Sequence, residues 1–248
     1  MLNFAFRQAF PRHASHRHIA KLAHIQSSDL APIFRSPEIT ERWERARLSQ
    51  ICQIDDGKTG GVNPGDRRTI FYLISAFKPH SILEIGTHVG ASTVHIAAAM
   101  EPSATLTTVD IAEVNGDNSY WRSYKLAKSP RQMLEEVGRT AEFVTDNSFH
   151  FLRKTHQTFD FIFLDGDHSR STVLNEVALS LARLNEGGTI LLHDYFPDAK
   201  PLWSNGSVID GPYSAMKSIP AIRVVPVGEL PWPTKLGSHV TSLALLSR

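Results

Sequence analysis

Ser81-Ile82-Leu83-Glu84-Ile85-Gly86-Thr87-His88-Val89-Gly90-Ala91-Ser92-Thr93 is the stretch on which the fold turns. A short aliphatic run stops at a glycine, a second glycine follows four positions on, and a helical stretch to about residue 100 begins. That is a strand, a tight turn and a helix. The spacing is Gly-x-x-x-Gly, not the Gly-x-Gly-x-x-Gly of a dinucleotide site, and Gly-Lys-Ser/Thr of a phosphate loop is missing. Glu84, just before the first glycine, would repel a pyrophosphate and suits a cationic or amine ligand. A tight strand–helix connection with no ligand at all has the same appearance.

Outward from this unit the pattern repeats. Apolar, β-branched runs lie at 105–109, 141–145, 159–164 and 189–192, with helical stretches at about 91–100, 130–138, 147–156 and 170–184. Such alternation predicts an α/β fold, a doubly wound, mostly parallel sheet covered on both faces. The tail differs: 222–227, a turn at Pro231-Trp232-Pro233, then 240–246 read as a hairpin at the sheet edge, which reverses the last strand. Upstream, 36–54 reads as one helix capped by Ser36, with Ile39, Trp43, Ala46 and Ile51 on one face. Asp66 is the expected cap of a helix through about Phe77. Residues 1–62 are therefore taken as a helical arm or cap, and 63–248 as the domain that carries the chemistry.

The composition excludes several classes. The chain has 248 residues, 26 Lys+Arg against 25 Asp+Glu, and 42% hydrophobic residues. It has neither the charge of a nucleic-acid binder nor the composition of a disordered chain. Its single cysteine, Cys52, cannot form an internal disulfide, so a cytoplasmic location is expected, and no apolar run is long enough to span a membrane. Residues 1–28 hold Arg7, Arg12, Arg17, Lys21 and four of the 12 histidines but no acid, so the remainder is net acidic. An arm packed on the domain or on a second subunit is favoured there over a targeting peptide, and with the 36–54 helix it suggests a homodimer.

In doubly wound sheets the ligand lies beyond the carboxyl ends of the strands. Asp110 ends the second strand 20 residues after Gly90 and can accept both hydroxyls of a ribose. Asp146 follows the third strand and can accept from an adenine amino group or cap the next helix. The fourth and fifth strands end in Leu164-Asp165-Gly166-Asp167-His168 and Leu192-His193-Asp194-Tyr195. Acids and imidazoles gathered at two adjacent strand tips call for a cation or a ligand amine.

Taken together, Leu83-Glu84-Ile85-Gly86-Thr87, Gly90-Ala91-Ser92-Thr93, Asp110, Asp146, Leu164-Asp165-Gly166-Asp167-His168 and His193-Asp194-Tyr195 resemble the class I S-adenosylmethionine-dependent methyltransferases. The spacing is closest to small-molecule O-methyltransferases of the catechol and caffeoyl-CoA kind and of antibiotic-pathway sugars. The resemblance implies a seven-stranded sheet with its last strand reversed and S-adenosylmethionine as cofactor. It implies that Glu84, Gly86, Thr87, Gly90 and Ser92 surround the methionine and ribose, that Asp110 meets the ribose and that Asp146 meets the adenine. Asp165 and Asp194 fall on metal-binding aspartates, for Mg²⁺ or Mn²⁺. Two positions depart: Tyr195 replaces an Asn ligand of the catechol type, and His193 replaces an acidic ligand of the sugar type. His193 can still bind a metal, though His with two Asp suits Mg²⁺ less than three carboxylates would.

The resemblance places His168 where caffeoyl-type enzymes carry a lysine base. An imidazole ionises near pH 6.5 and accepts a hydroxyl proton at neutral pH; His193 is the competing base. The expected reaction is methyl transfer to a hydroxyl of a small metabolite, with the acceptor bordered by residues 113–129 (Tyr120, Trp121, Tyr124) and 196–216. A metal-independent methyltransferase and a non-catalytic cofactor-binding partner protein are the alternatives. The glycine spacing speaks against a dehydrogenase.

Overall fold

The computed structural model describes residues 29–199, 210–219 and 223–247. The basic, histidine-rich 1–28 and the 200–209 part of the loop around Trp203 and Asn205-Gly206 lie outside the described residues.

Among the described residues five helices precede the sheet: α1 (Ala31–Phe34), α2 (Pro37–Ala46), α3 (Leu48–Ile51), α4 (Asp56–Thr59) and α5 (Pro64–Phe77). Ser36 caps α2 as expected, its hydroxyl accepting from Ile39 N at 3.3 Å. The single helix expected over 36–54 is instead broken at Arg47, which adopts a left-handed conformation at φ 47°. Asn63, not Asp66, caps α5 and accepts from Asp66 N at 3.0 Å. Pro64 can start that helix because its first turn needs no intrahelical N–H.

The sheet then assembles from β1 (Ser81–Ile85), β2 (Thr105–Asp110), β3 (Glu142–Thr145), β4 (Phe159–Leu164), β5 (Leu184–Leu192), β6 (Arg223–Pro226) and β7 (Ala244–Ser247). Their order is β3-β2-β1-β4-β5-β7-β6, with β7 antiparallel to both neighbours. The crossovers carry α6 (Ala91–Ala99), α7 (Tyr120–Ser123), α8 (Pro130–Glu136), α9 (Ser148–Lys154) and α10 (Arg170–Arg183); α11 (Gly211–Ser218) precedes β6. The expected terminal hairpin is looser than the sequence suggests: residues 227–243 separate its strands and hold a Glu229–Val240 bridge.

Period-two alternation divides the strands between two cores. Ile82, Phe161, Phe163, Leu191 and Leu245 pack on one face with α5 and α6, while Leu83, Ile85, Ile162, Leu164 and Leu246 pack on the other with α10 and α11. Leu30, Phe34, Ile39, Leu48 and Ile54 join the first core, so the described part of the extension shares the hydrophobic interior of the sheet. Buried Arg67 fixes this part from α5. Its guanidinium donates to Val62 O at 2.5 Å, Ile54 O at 3.1 Å and Cys52 Sγ at 3.6 Å. The chain leaves β1 in one direction for β2 and β3, then returns to the other side for β4. The tips of β1 and β4 therefore part and leave a crevice.

Candidate active site

That crevice is a cleft of about 500 Å³. Its wall is built from the residues that follow β1, β2, β3 and β4. Of the residues singled out from sequence, Gly86, Thr87, Ser92, Asp110, Asp146, Asp165 and His168 line it.

Gly86 has φ +98°, and a Cβ there would stand 2.2 Å from Asp165 O, so only glycine lets the β1 turn pass the β4 tip this closely. Gly90 also needs its missing side chain, but for packing: a Cβ would stand 2.7 Å from Pro130 Cβ. Gly90 is not on the cleft wall. Glu84 is not on it either. Its fully buried carboxylate accepts from Ser92 Oγ, Thr93 Oγ1 and Thr108 Oγ1, each at 2.6 Å. Burial lifts this carboxyl to about 7 against the three hydroxyls that pull it down. The expected ligand contact of Glu84 is thus replaced by a brace between β1, β2 and the start of α6.

Asp110 accepts from His88 N at 2.8 Å and Ala112 N at 2.9 Å, which ties the glycine turn to the tip of β2. Each carboxylate oxygen keeps a lone pair for a ligand hydroxyl. Asp146 receives the Nδ1 of His150 at 2.6 Å, and that hydrogen bond holds its carboxyl below the usual range. Capping of α9 falls to Asn147, which accepts from Phe149 N at 2.9 Å, so Asp146 does not serve as the cap. Asp167 accepts from the hydroxyls of Ser169 and Thr172 at 2.8 and 2.7 Å, bonds that lower its pKa, while Ser169 caps α10. Asp167 belongs to a turn more than to a cation site.

The second cluster gathers at the tips of β4 and β5. His193 Nδ1 is 2.7 Å from Asp165 Oδ1 and 3.6 Å from Asp194 Oδ1, and its Nε2 is 4.0 Å from Asp66 Oδ2. Neither ring nitrogen has an aligned hydrogen bond, although the ring is only 7% exposed. Burial alone would lower this imidazole's pKa, but Asp165, Asp194 and then Asp66 raise it to about 10. His168 Nε2 lies 3.5 Å from Asp194 Oδ2 and 3.7 Å from Asp165 Oδ1. Ligand atoms of Asp165, His168 and His193 all come within 4.8 Å of one another. The geometry thus groups His168 with Asp165 and His193, while the expected Asp194 stands beside both imidazoles, 3.5 and 3.6 Å away, but outside that close group. These oxygens and imidazole nitrogens, two of them buried without aligned partners, fit a borderline divalent ion such as Mn²⁺ or Zn²⁺ better than Mg²⁺. Tyr195 is no ligand: it is packed in the second core, and burial lifts its phenol to about 12.

Several cleft residues escape the sequence reading. Thr59, Gly60, Gly61 and Val62 of the extension form one wall, and Phe149 and Glu176 contribute from α9 and α10. His88 stands at φ 50° with its ring 4.9 Å from that of Tyr120 and 5.8 Å from that of Tyr124. Burial lowers its pKa despite Asp110 and Asp165 nearby. Of the aromatics expected to border the acceptor, Tyr120 reaches the cleft while Trp121 is buried.

A reversed last strand, a glycine turn at the first tip and an acid at each of the next three define a class: the class I S-adenosylmethionine-dependent methyltransferase fold. Residues 83–195 match the family described as a methyltransferase domain. Among curated proteins it resembles catechol O-methyltransferase B of Danio rerio, 31% identical over 154 residues. That match covers 59% of this chain and 54% of the fish enzyme, so the chain spans about half the length of the relative. Among solved structures, an O-methyltransferase from Bacillus cereus in complex with SAH aligns over 84% of this chain and 88% of its own, at TM-score 0.55 and 18% identity. TomG of Streptomyces achromogenes, an O-methyltransferase involved in tomaymycin synthesis and solved with SAM, aligns over 86% and 90%, at TM-score 0.57 and 15% identity. At those identities the likeness establishes the fold.

Proposed function

We propose that the chain is an S-adenosylmethionine-dependent O-methyltransferase that methylates a hydroxyl of a small metabolite, such as a sugar, a phenol or a natural-product intermediate. The observation that carries this reading is the position of His168. Its Nε2 lies on the cleft wall between the carboxylates of Asp165 and Asp194.

In this reading Asp110 holds the ribose hydroxyls, and the turn at Gly86 and Thr87 faces the methionine portion. Ile111, 73% exposed, and Phe149 offer apolar surface to a flat base. The sulfonium supplies an already activated methyl group, so the protein's task is to orient the acceptor oxygen and remove its proton. His168 takes that proton. As the C–O bond forms, the C–S bond breaks and S-adenosylhomocysteine leaves. Asp165, His193 and Asp194 would hold a divalent ion, which lowers the acceptor hydroxyl's pKa. A metal-independent form of the same reaction is favoured by one observation: His193, buried among three carboxylates, already supplies positive charge there.

The test is methyl transfer from S-adenosylmethionine to a panel of catechols, flavonoids and sugars, with EDTA and with Mn²⁺ or Mg²⁺ restored. Turnover lost in chelator and regained with metal supports the metal-assisted form, and undiminished turnover in chelator supports the other. His168→Ala is expected to lower kcat by about 10²–10⁴-fold with little change in the KM for S-adenosylmethionine. Full activity in that variant removes His168 as the base.

A further inference from the structure

Glu176 is a carboxylic acid in an unusual place. It projects from α10, is only 2% exposed, and yet borders the cleft beside Ser148, Phe149 and Gly166. Helix α10 packs against α9, α11, β4 and β5, which explains the burial but not the choice of an acid. A leucine would fill such a position without a desolvation cost. The missing side chain of Gly166 brings the β4 turn close, with Glu176 Oε1 3.6 Å from where a Cβ would stand. Ser148 of α9 stands beside Glu176 on the cleft wall, and its hydroxyl pulls the carboxyl's pKa down against burial. No arginine, lysine or histidine pairs with Glu176 among the described residues.

The position relative to the other acids gives this carboxyl a purpose. Asp146, Asn147, Ser148 and Phe149 form the end of the cleft beyond the ribose acid Asp110, where the base of the cofactor belongs in the reading above. We propose that Glu176 is a second reader of the cofactor's purine, bonding the edge of the adenine from the floor of the cleft. The inference rests on the methyltransferase reading and extends it to a residue on the helix after β4.

The chemistry of the edge fits. Adenine presents an amino donor beside a ring-nitrogen acceptor, and a neutral carboxylic acid is both acceptor and donor. An ionised carboxylate would set a charge against the ring nitrogen's lone pair. Burial keeps the group neutral to about pH 7, with the charge of Asp167 adding to the effect and Ser148 opposing it. The other charged groups on neighbouring elements are the Asp146–His150 pair, Arg153 and Lys154 of α9, Asp160 of β4 and Asp165 at its tip, Glu186 of β5, and Lys217 of α11, which lies 5.5 Å from the Tyr213 ring.

Calorimetric titration of S-adenosylhomocysteine into the full chain between pH 6 and 8.5 tests this. Wild type should bind about tenfold or more weakly at the upper end, because only the neutral acid makes both bonds. Glu176→Gln keeps a donor and an acceptor without a proton to lose, so it should bind within about threefold of wild type at pH 6 and lose most of the pH dependence. Glu176→Leu should bind at least about tenfold more weakly at pH 6. Wild type and Glu176→Gln weakening in parallel would assign the pH dependence to the Asp146–His150 pair and overturn the proposal. It is also overturned if Glu176→Leu, folded by circular dichroism, binds like wild type. If wild type fails to bind S-adenosylhomocysteine at millimolar concentration, the methyltransferase reading falls and takes this proposal with it.

Discussion

Glu84 shows how one residue can be right for the fold while its expected role is wrong. An acid before the first glycine suggests a ligand contact, yet three hydroxyls absorb its acceptors in the interior. The sequence shows Ser92, Thr93 and Thr108 only as ordinary polar residues, because their convergence depends on β1 and β2 pairing in register. A consequence follows for stability. The carboxyl rises from an ordinary value near 4.5 to about 7 on folding. Below 4.5 the folded and unfolded forms are both protonated; between 4.5 and 7 only the unfolded form ionises, so stability falls as pH rises, then levels off. The cost at pH 8 is on the order of 3 kcal/mol. Glu84→Gln should therefore flatten the decline in denaturation midpoint between pH 5 and 7.5, with Glu176 and, above pH 6.5, His193 supplying the slope that remains. A decline as steep as that of wild type would show that Glu84 ionises freely in the folded state.

At the scale of elements, the strand–turn–helix unit at 81–99 was legible because glycine positions and aliphatic runs are local signals. Its close approach to the β4 turn was not, since nothing in either segment names the other. Gly86→Ala carries both penalties, a left-handed φ and a 2.2 Å approach to Asp165 O. Gly138, at φ +66° with nothing within 4 Å of a Cβ, carries only the first. Thermal denaturation should show Gly138→Ala losing about 1 kcal/mol and Gly86→Ala at least 2–4 kcal/mol. Equal losses would mean that the contact at Gly86 relaxes without cost. The break at Arg47 was also hidden, because the apolar face of 36–54 remains continuous in helical projection while the backbone does not.

For the molecule as a whole, topology was readable from the order of strands and helices, and the reversed last strand from the tail. The contribution of the extension was less so. Its aliphatic residues are spaced like those of a free amphipathic arm, yet they complete the first core, and 59–62 form a wall of the cleft. We infer that the 62/63 boundary separates segments of sequence more than units of stability. A chain starting at residue 63 should aggregate or melt far below the full chain in a light-scattering thermal ramp, because it exposes the surface that Phe34, Ile39, Leu48 and Ile54 cover. A soluble, cooperatively melting fragment would make the extension dispensable. The central claim concerns the cleft itself, and calorimetry of S-adenosylhomocysteine binding to wild type and to Asp110→Ala tests it most directly. The account predicts one site per chain in wild type and an affinity at least about tenfold lower in Asp110→Ala, from the lost charge-assisted bonds to the ribose hydroxyls. Absence of binding to wild type, or equal affinity in the folded variant, would contradict it.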